Sequence, residues 1–128
     1  MKMKIWMASA LALLSLSAAA EWQLVGSNSQ AGLTVYVDTV SKVTDGSLVK
    51  MWNLSDYQFP NERGRKSEKI QYEYDCQASN TRMLTAIGYS GNMGDGSLVF
   101  NVSTTQDWRP VPPDTSIFER WKLACKKE

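Results

Sequence analysis

Cys76 and Cys125 are the only thiols among 128 residues, and the sequence holds no histidine. A catalytic or metal-binding cysteine needs a close partner, either a CxxC neighbour or an imidazole. Two cysteines 49 positions apart have neither. The missing histidine also removes the usual general base, which excludes the Ser-His and Cys-His hydrolases. Glu73 and Asp75 alternate along one extended segment and read as strand surface rather than as a glycosidase acid pair. Gly91-Asn92-Met93-Gly94-Asp95-Gly96 has the composition of a phosphate loop, but such a loop must open a helix. The residues after it, SLVF, read as strand, so a wide hairpin turn is expected. Asp95 lacks the regularly spaced oxygen ligands of a calcium site. Asn53-Leu54-Ser55 and Asn101-Val102-Ser103 match a glycosylation sequon by pattern only, because both fall in strand-like segments. No cofactor, metal or catalytic set is expected.

One cluster points to binding. Arg63, Arg65, Lys66 and Lys69 place four positive charges within seven residues, and Phe59-Pro60 precedes them. Aromatic and arginine side chains carry much of the energy of protein interfaces. A concentration of positive charge on an otherwise neutral chain fits an acidic partner. The competing reading is a solvated loop. Phe59, Arg63, Arg65, Lys66 and Lys69 are the candidate partner-binding residues.

The elements that must hold these residues follow from the pattern. Lys2 and Lys4 precede a 12-residue apolar run, Ile5 to Leu16, and then Ser17-Ala18-Ala19-Ala20. This is the order of a signal peptide, with cleavage expected after Ala20. Twelve helical residues span about 18 Å, short of the roughly 30 Å hydrocarbon core, so a membrane anchor does not fit. The chain is thus assigned as a signal peptide, 1–20, and one mature domain, 21–128, with no stable membrane insertion after cleavage. The mature 108 residues carry 12 basic and 13 acidic side chains, a net charge of −1. That balance argues against nucleic-acid binding, which rests on phosphate neutralisation. One domain of about 100 residues buries a real core and leaves no room for a second. Export also places the two cysteines where an even pair forms a disulfide.

Within the mature chain, EWQLV, LTVYVD, SLVKMWNLSDY, KIQYEYDC, TRMLTAIGYS and SLVFNVS read as six strands. KIQYEYDC alternates most regularly, with Ile70, Tyr72, Tyr74 and Cys76 on one face. The segment DTVSKVTDG reads as a turn region, and Asp45-Gly46 as a hairpin signal. Phe59 to Lys69 is mostly loop. The short connections favour antiparallel pairing. Trp108 to Pro113 cannot enter a central strand or a helix interior. After it, Asp114, Thr115 and Ser116 are all possible N-caps, and Ser116 with Glu119 has the spacing of a capping box. Phe118, Trp121 and Cys125 then form one apolar helix face. The fold expected is α+β: an antiparallel sheet of about six strands, one C-terminal helix on one face, and a Cys76–Cys125 staple.

The segments VYVDT, WNLSDY, RKSEKIQYEYDC, GYSGNMGDGSLV and VPPDTSIFERWKLAC occur in the order seen in the bacterial surface-adhesin protein E-like family. The chain resembles that family from about Val35 to Cys125, most specifically in S-x-K…YDC and W-K-x-A-C. The resemblance implies a small envelope domain of sheet and C-terminal helix, related to an adhesin of host matrix proteins. The family's namesake is a lipoprotein, whereas here no cysteine adjoins the Ala-Ala-Ala-Glu cleavage region. The function expected is a non-enzymatic binding module in the periplasm or at the cell surface, without a lipid anchor. Its partner is a protein or acidic glycan outside the cytoplasm, with a homodimer also allowed. The alternative is a periplasmic structural or assembly factor with no host ligand.

Overall fold

The computed structural model describes residues 20–127, so all of the expected signal segment except Ala20 lies outside the described residues. Among the described residues the strands are β1 (Trp22–Asn28), β2 (Leu33–Asp45), β3 (Leu48–Tyr57), β4 (Ser67–Asp75), β5 (Asn80–Tyr89), β6 (Leu98–Val102) and β7 (Arg109–Pro110), and the one α-helix is α1 (Ser116–Cys125). β1 to β6 pair antiparallel with their sequence neighbours, and the two-residue β7 adds to β5. The six expected strands and the C-terminal helix are present.

The alternation of side chains divides the sheet into two faces. On one, Met51 stands opposite Tyr72 and Val49 opposite Tyr74. Val37, Val49, Met51 and Tyr74 form the core there with Ala124 of α1, and Tyr72, Trp121 and Leu123 pack around them. The regular alternation of KIQYEYDC predicts this inward row. The other face carries Trp22, Asp38, Trp52, Lys69 and Ile87, through the pairings Trp22–Asp38, Asp38–Trp52 and Lys69–Ile87.

Cys76, just after β4, bonds Cys125 at the end of α1, with their Cα atoms 5.5 Å apart. Closing a 49-residue loop restricts the unfolded chain and contributes roughly 4 kcal/mol in the chain-entropy account. The indole Nε1 of Trp121 donates to the Asp75 carbonyl at 3.0 Å, beside the same staple.

Two local expectations are revised. The segment from Thr39 to Asp45 is strand rather than turn, with the ladder interrupted between Asp38 and Val43. Buried Asp38 causes the irregularity: its Oδ1 accepts from the backbone N–H groups of Val40 and Ser41, and its Oδ2 from the Ser41 hydroxyl. These bonds replace the ladder locally, as short acidic side chains do in turns. The tight turn falls one residue later, at Gly46-Ser47, where Gly46 supplies the positive φ of 61°. The helix cap is Thr115, whose Oγ1 accepts from the Phe118 N–H at 3.2 Å. Ser116 is therefore the first helical residue, and no capping box joins it to Glu119. Asn53, the first sequon residue, is buried and donates its amide to the Met51 carbonyl.

Candidate functional site

The connection between β3 and β4, residues 58–66, is the candidate site. Its shape comes from Asn61. The Asn61 side-chain oxygen accepts from Arg63 N at 3.1 Å and Arg65 N at 2.8 Å. The Asn61 carbonyl accepts from Gly64 N at 2.9 Å, and the Asn61 N–H donates to the Arg65 carbonyl at 3.0 Å. Gly64 takes φ of 81°, a conformation glycine adopts without strain. Two longer ties fix the base of the loop: Gln58 N donates to the Gly32 carbonyl, and Lys66 N to the Tyr89 carbonyl, both at 2.8 Å. The loop is thus a hydrogen-bonded turn rather than a loose connection.

Within that frame the five candidate residues separate. Phe59 is 68% exposed, and Arg63 and Gly64 beside it are exposed. Lys66 is half-buried, one residue before β4. Arg65 turns inward: its guanidinium lies 3.6 Å above the Tyr57 ring and its Nη1 pairs with Glu68 at 2.7 Å. Its Nε is buried with no hydrogen-bond partner. An arginine held by an aromatic face and a carboxylate has little left to offer a partner. Lys69 is on β4, not in the loop, and its ammonium sits near the rings of Tyr89 and Trp22 on the helix-free face. Phe59 and Arg63 stay exposed on the loop and Lys66 half-buried at its end, while Arg65 and Lys69 are engaged by other groups. Asn61, Tyr57 and Glu68 are the residues that sequence reasoning passes over. The one available signal is the spacing Asn61-x-x-Gly64, which marks a side-chain-capped turn.

The other chemical candidates resolve as structure. Glu73 is buried, not surface decoration, and its Oε1 accepts from Arg82 Nε at 2.9 Å and Nη2 at 2.6 Å. The Asp75 carboxylate accepts from the Gln77 and Ala78 N–H groups. Ser47 and Lys50 have the spacing of a Ser-Lys pair, but both are exposed, one in a turn and one on a strand. The glycine-rich segment forms a short 3-10 turn, Asn92–Gly94, leading into β6 and folded back on the sheet. Asp56 Oδ1 accepts from Met93 N and from the Asn92 amide, and the Ser67 hydroxyl donates to the Gly91 carbonyl. Beneath α1, burial pushes the Tyr74 hydroxyl up to about 12, against the opposing pull of the Arg120 guanidinium and a hydrogen bond to Asn53. Among the described residues no group of three or more Cys, Asp and Glu side chains is placed to hold a metal ion. No helix among them is long and apolar enough to cross a membrane.

A model of the surface-adhesin protein E family matches residues 22–126. Structures of Haemophilus influenzae protein E share the fold. Crystal form II has a TM-score of 0.57 at 15% identity, covering 83% of this chain and 96% of that one. A second structure has 0.55 at 16% identity, covering 71% and 76%, and protein E from a non-typeable strain has 0.52 at 13% identity, covering 84% of each chain. No curated protein sequence matches.

Proposed function

The chain belongs to the surface-adhesin protein E family, and from that premise we propose an exported, non-enzymatic binding module that engages an acidic protein partner outside the cytoplasm. Cleavage after Ala20 releases the mature domain. The observation that carries the reading is the exposed pair Phe59 and Arg63 on a turn held rigid by Asn61. An apolar anchor beside a cation is the usual composition of an interface centre. A loop already fixed in one conformation loses little entropy when a partner docks. Functional residues concentrate on such loops above a stable scaffold.

The test compares binding of immobilised matrix proteins by the unaltered protein and by a Phe59→Ser/Arg63→Ser/Lys66→Ser variant. Arg65 and Lys69 stay in place, because Arg65 is engaged by Tyr57 and Glu68 and Lys69 belongs to the opposite face. The expected result is a folded variant by circular dichroism that no longer binds, together with wild-type binding that weakens as salt rises. Undiminished binding by the folded variant would make the loop a solvated turn. Protease shaving of intact cells separates the surface from the periplasm, since only a surface domain is degraded.

A further inference from the structure

The helix-free face of the sheet holds a second site, remote in chemistry from the loop. Trp22, Trp52, Tyr89 and Ile87 line a cavity of about 340 Å³ with Lys69, Asp38 and Ser41; Ala20, which also borders it, is removed by the proposed cleavage, so the processed chain begins at the cavity's edge. The Lys69 ammonium is 5.4 Å from the Tyr89 ring centre and 6.0 Å from that of Trp22. Among the described residues no carboxylate pairs with it. Asp38 does not serve that role, because both its oxygens are taken by Val40 and Ser41. The Lys69 stem is held from above by the Asn92–Gly94 turn, so closely that a Cβ on Gly94 would stand 2.6 Å from its Cε. That turn is itself fixed by Asp56 and Ser67. The ammonium is therefore positioned, not free to sweep the surface.

We propose that this cavity binds a carboxylated pyranose, a uronic or sialic acid residue of a glycan. Two indoles and a phenol line the cavity and supply the apolar aromatic surface on which the C–H groups of a sugar ring pack. A half-buried cation among aromatic faces is already favourably placed and gains most from one anion of matching size. A neutral sugar stacks but leaves Lys69 unmatched, and a bulkier sulfated chain finds only one lysine and no arginine among the lining side chains. The site goes beyond the protein-binding reading of the loop and includes none of Phe59, Arg63 and Lys66.

The test is a tryptophan-fluorescence titration of the exported, processed protein with 3′-sialyllactose, a hyaluronan tetrasaccharide and lactose. The two acidic sugars should bind about tenfold more tightly than lactose, the size of one hydrogen bond to a charged group. Lys69→Gln should erase that difference while the thermal midpoint stays unchanged. Lys50→Gln, which removes an exposed lysine outside the cavity, should retain it. Equal affinity for lactose and the acidic sugars, no binding of any of the three, or equal losses in the two lysine variants would each overturn the site. Matrix-protein binding measured on the same preparations reports on the loop separately, so either reading can fail alone.

Discussion

Trp121 reaches from α1 to donate its indole N–H to the Asp75 carbonyl at 3.0 Å, one residue before the cysteine that is bonded to the helix's own end. The helix is thus fastened to β4 twice, by a covalent bond and by a hydrogen bond, with the Trp121 ring packed on the core between them. Trp121→Ala removes the ring and the bond and should cost about 3 kcal/mol, the low end for a large core side chain because the residue is only half-buried. Trp121→Phe keeps most of the packing and should cost about 1 kcal/mol, the net contribution of one hydrogen bond. Urea midpoints of the two variants check both the size and the order.

The disulfide should dominate the stability of this small domain. The unreduced protein is expected to yield one linked peptide pair on digestion and no alkylatable thiol. Reduction, or Cys76→Ser with Cys125→Ser, should lower the unfolding free energy by roughly 4 kcal/mol. The C-terminal end of α1 keeps a second restraint in Lys42, whose Nζ donates to the Lys126 carbonyl at 3.0 Å. Hydrogen exchange after reduction should accordingly rise in α1 before it rises in β3 and β4.

The sheet was legible in the sequence because its alternation is regular where one face is buried, as in Ile70, Tyr72, Tyr74 and Cys76. The C-terminal helix was legible for the same reason, through Phe118, Trp121 and Cys125. What escaped were places where a single polar side chain redirects the backbone. Asp38 bends β2 by binding Val40 and Ser41, so a segment with the composition of a turn continues as strand. In the basic cluster, position along the chain did not show that Arg65 faces Tyr57 and Glu68 while Arg63 faces solvent. Lys69 belongs to the strand pattern, and its register opposite Ile87 decides its surroundings. Charge spacing marks a cluster, but only cross-strand contacts separate its structural members from its available ones.

Gly88 faces Phe100 across β5 and β6, and any Cβ at that position would fall within the ring. Gly88→Ala should therefore destabilise by about 1–3 kcal/mol, as overpacking does. Adding Phe100→Leu should recover part of the loss, since a smaller side chain admits the methyl. A double-mutant cycle by thermal unfolding measures the coupling; strict additivity would mean the two residues do not compete for the same space.

Stability should also fall in strong alkali. The Tyr74 hydroxyl is held up at about 12 by burial, above its ordinary value near 10. The folded state keeps the phenolic proton that the unfolded chain releases, so this stabilisation is complete below about pH 10 and disappears as pH approaches 12. Tyr74→Phe removes the titrating group. Urea unfolding at pH 9 and about pH 11.5 should show a smaller loss for the variant than for the unaltered protein, and an equal loss would assign the alkaline effect to other groups.

The last expectation separates the two arginines of the loop. Arg65 stacks on Tyr57, pairs with Glu68 and buries most of its side chain, whereas Arg63 is held by its backbone N–H, which donates to the Asn61 side chain, and its own side chain is exposed. Arg65→Gln should therefore lower stability by about 1–2 kcal/mol, through lost stacking and a lost partly buried ion pair. Arg63→Gln should leave the unfolding midpoint within about 0.5 kcal/mol, as surface changes do, yet weaken an acidic partner. Asn61→Ala tests the frame itself: it frees the N–H groups of Arg63 and Arg65 and loosens the turn without touching any side chain that meets the partner. Binding should fall in this variant although Phe59, Arg63 and Lys66 are all intact, because the partner must now order the loop. Affinity undiminished in Asn61→Ala, with the loop shown to be mobile by hydrogen exchange, would mean that the rigid turn is not what presents these residues.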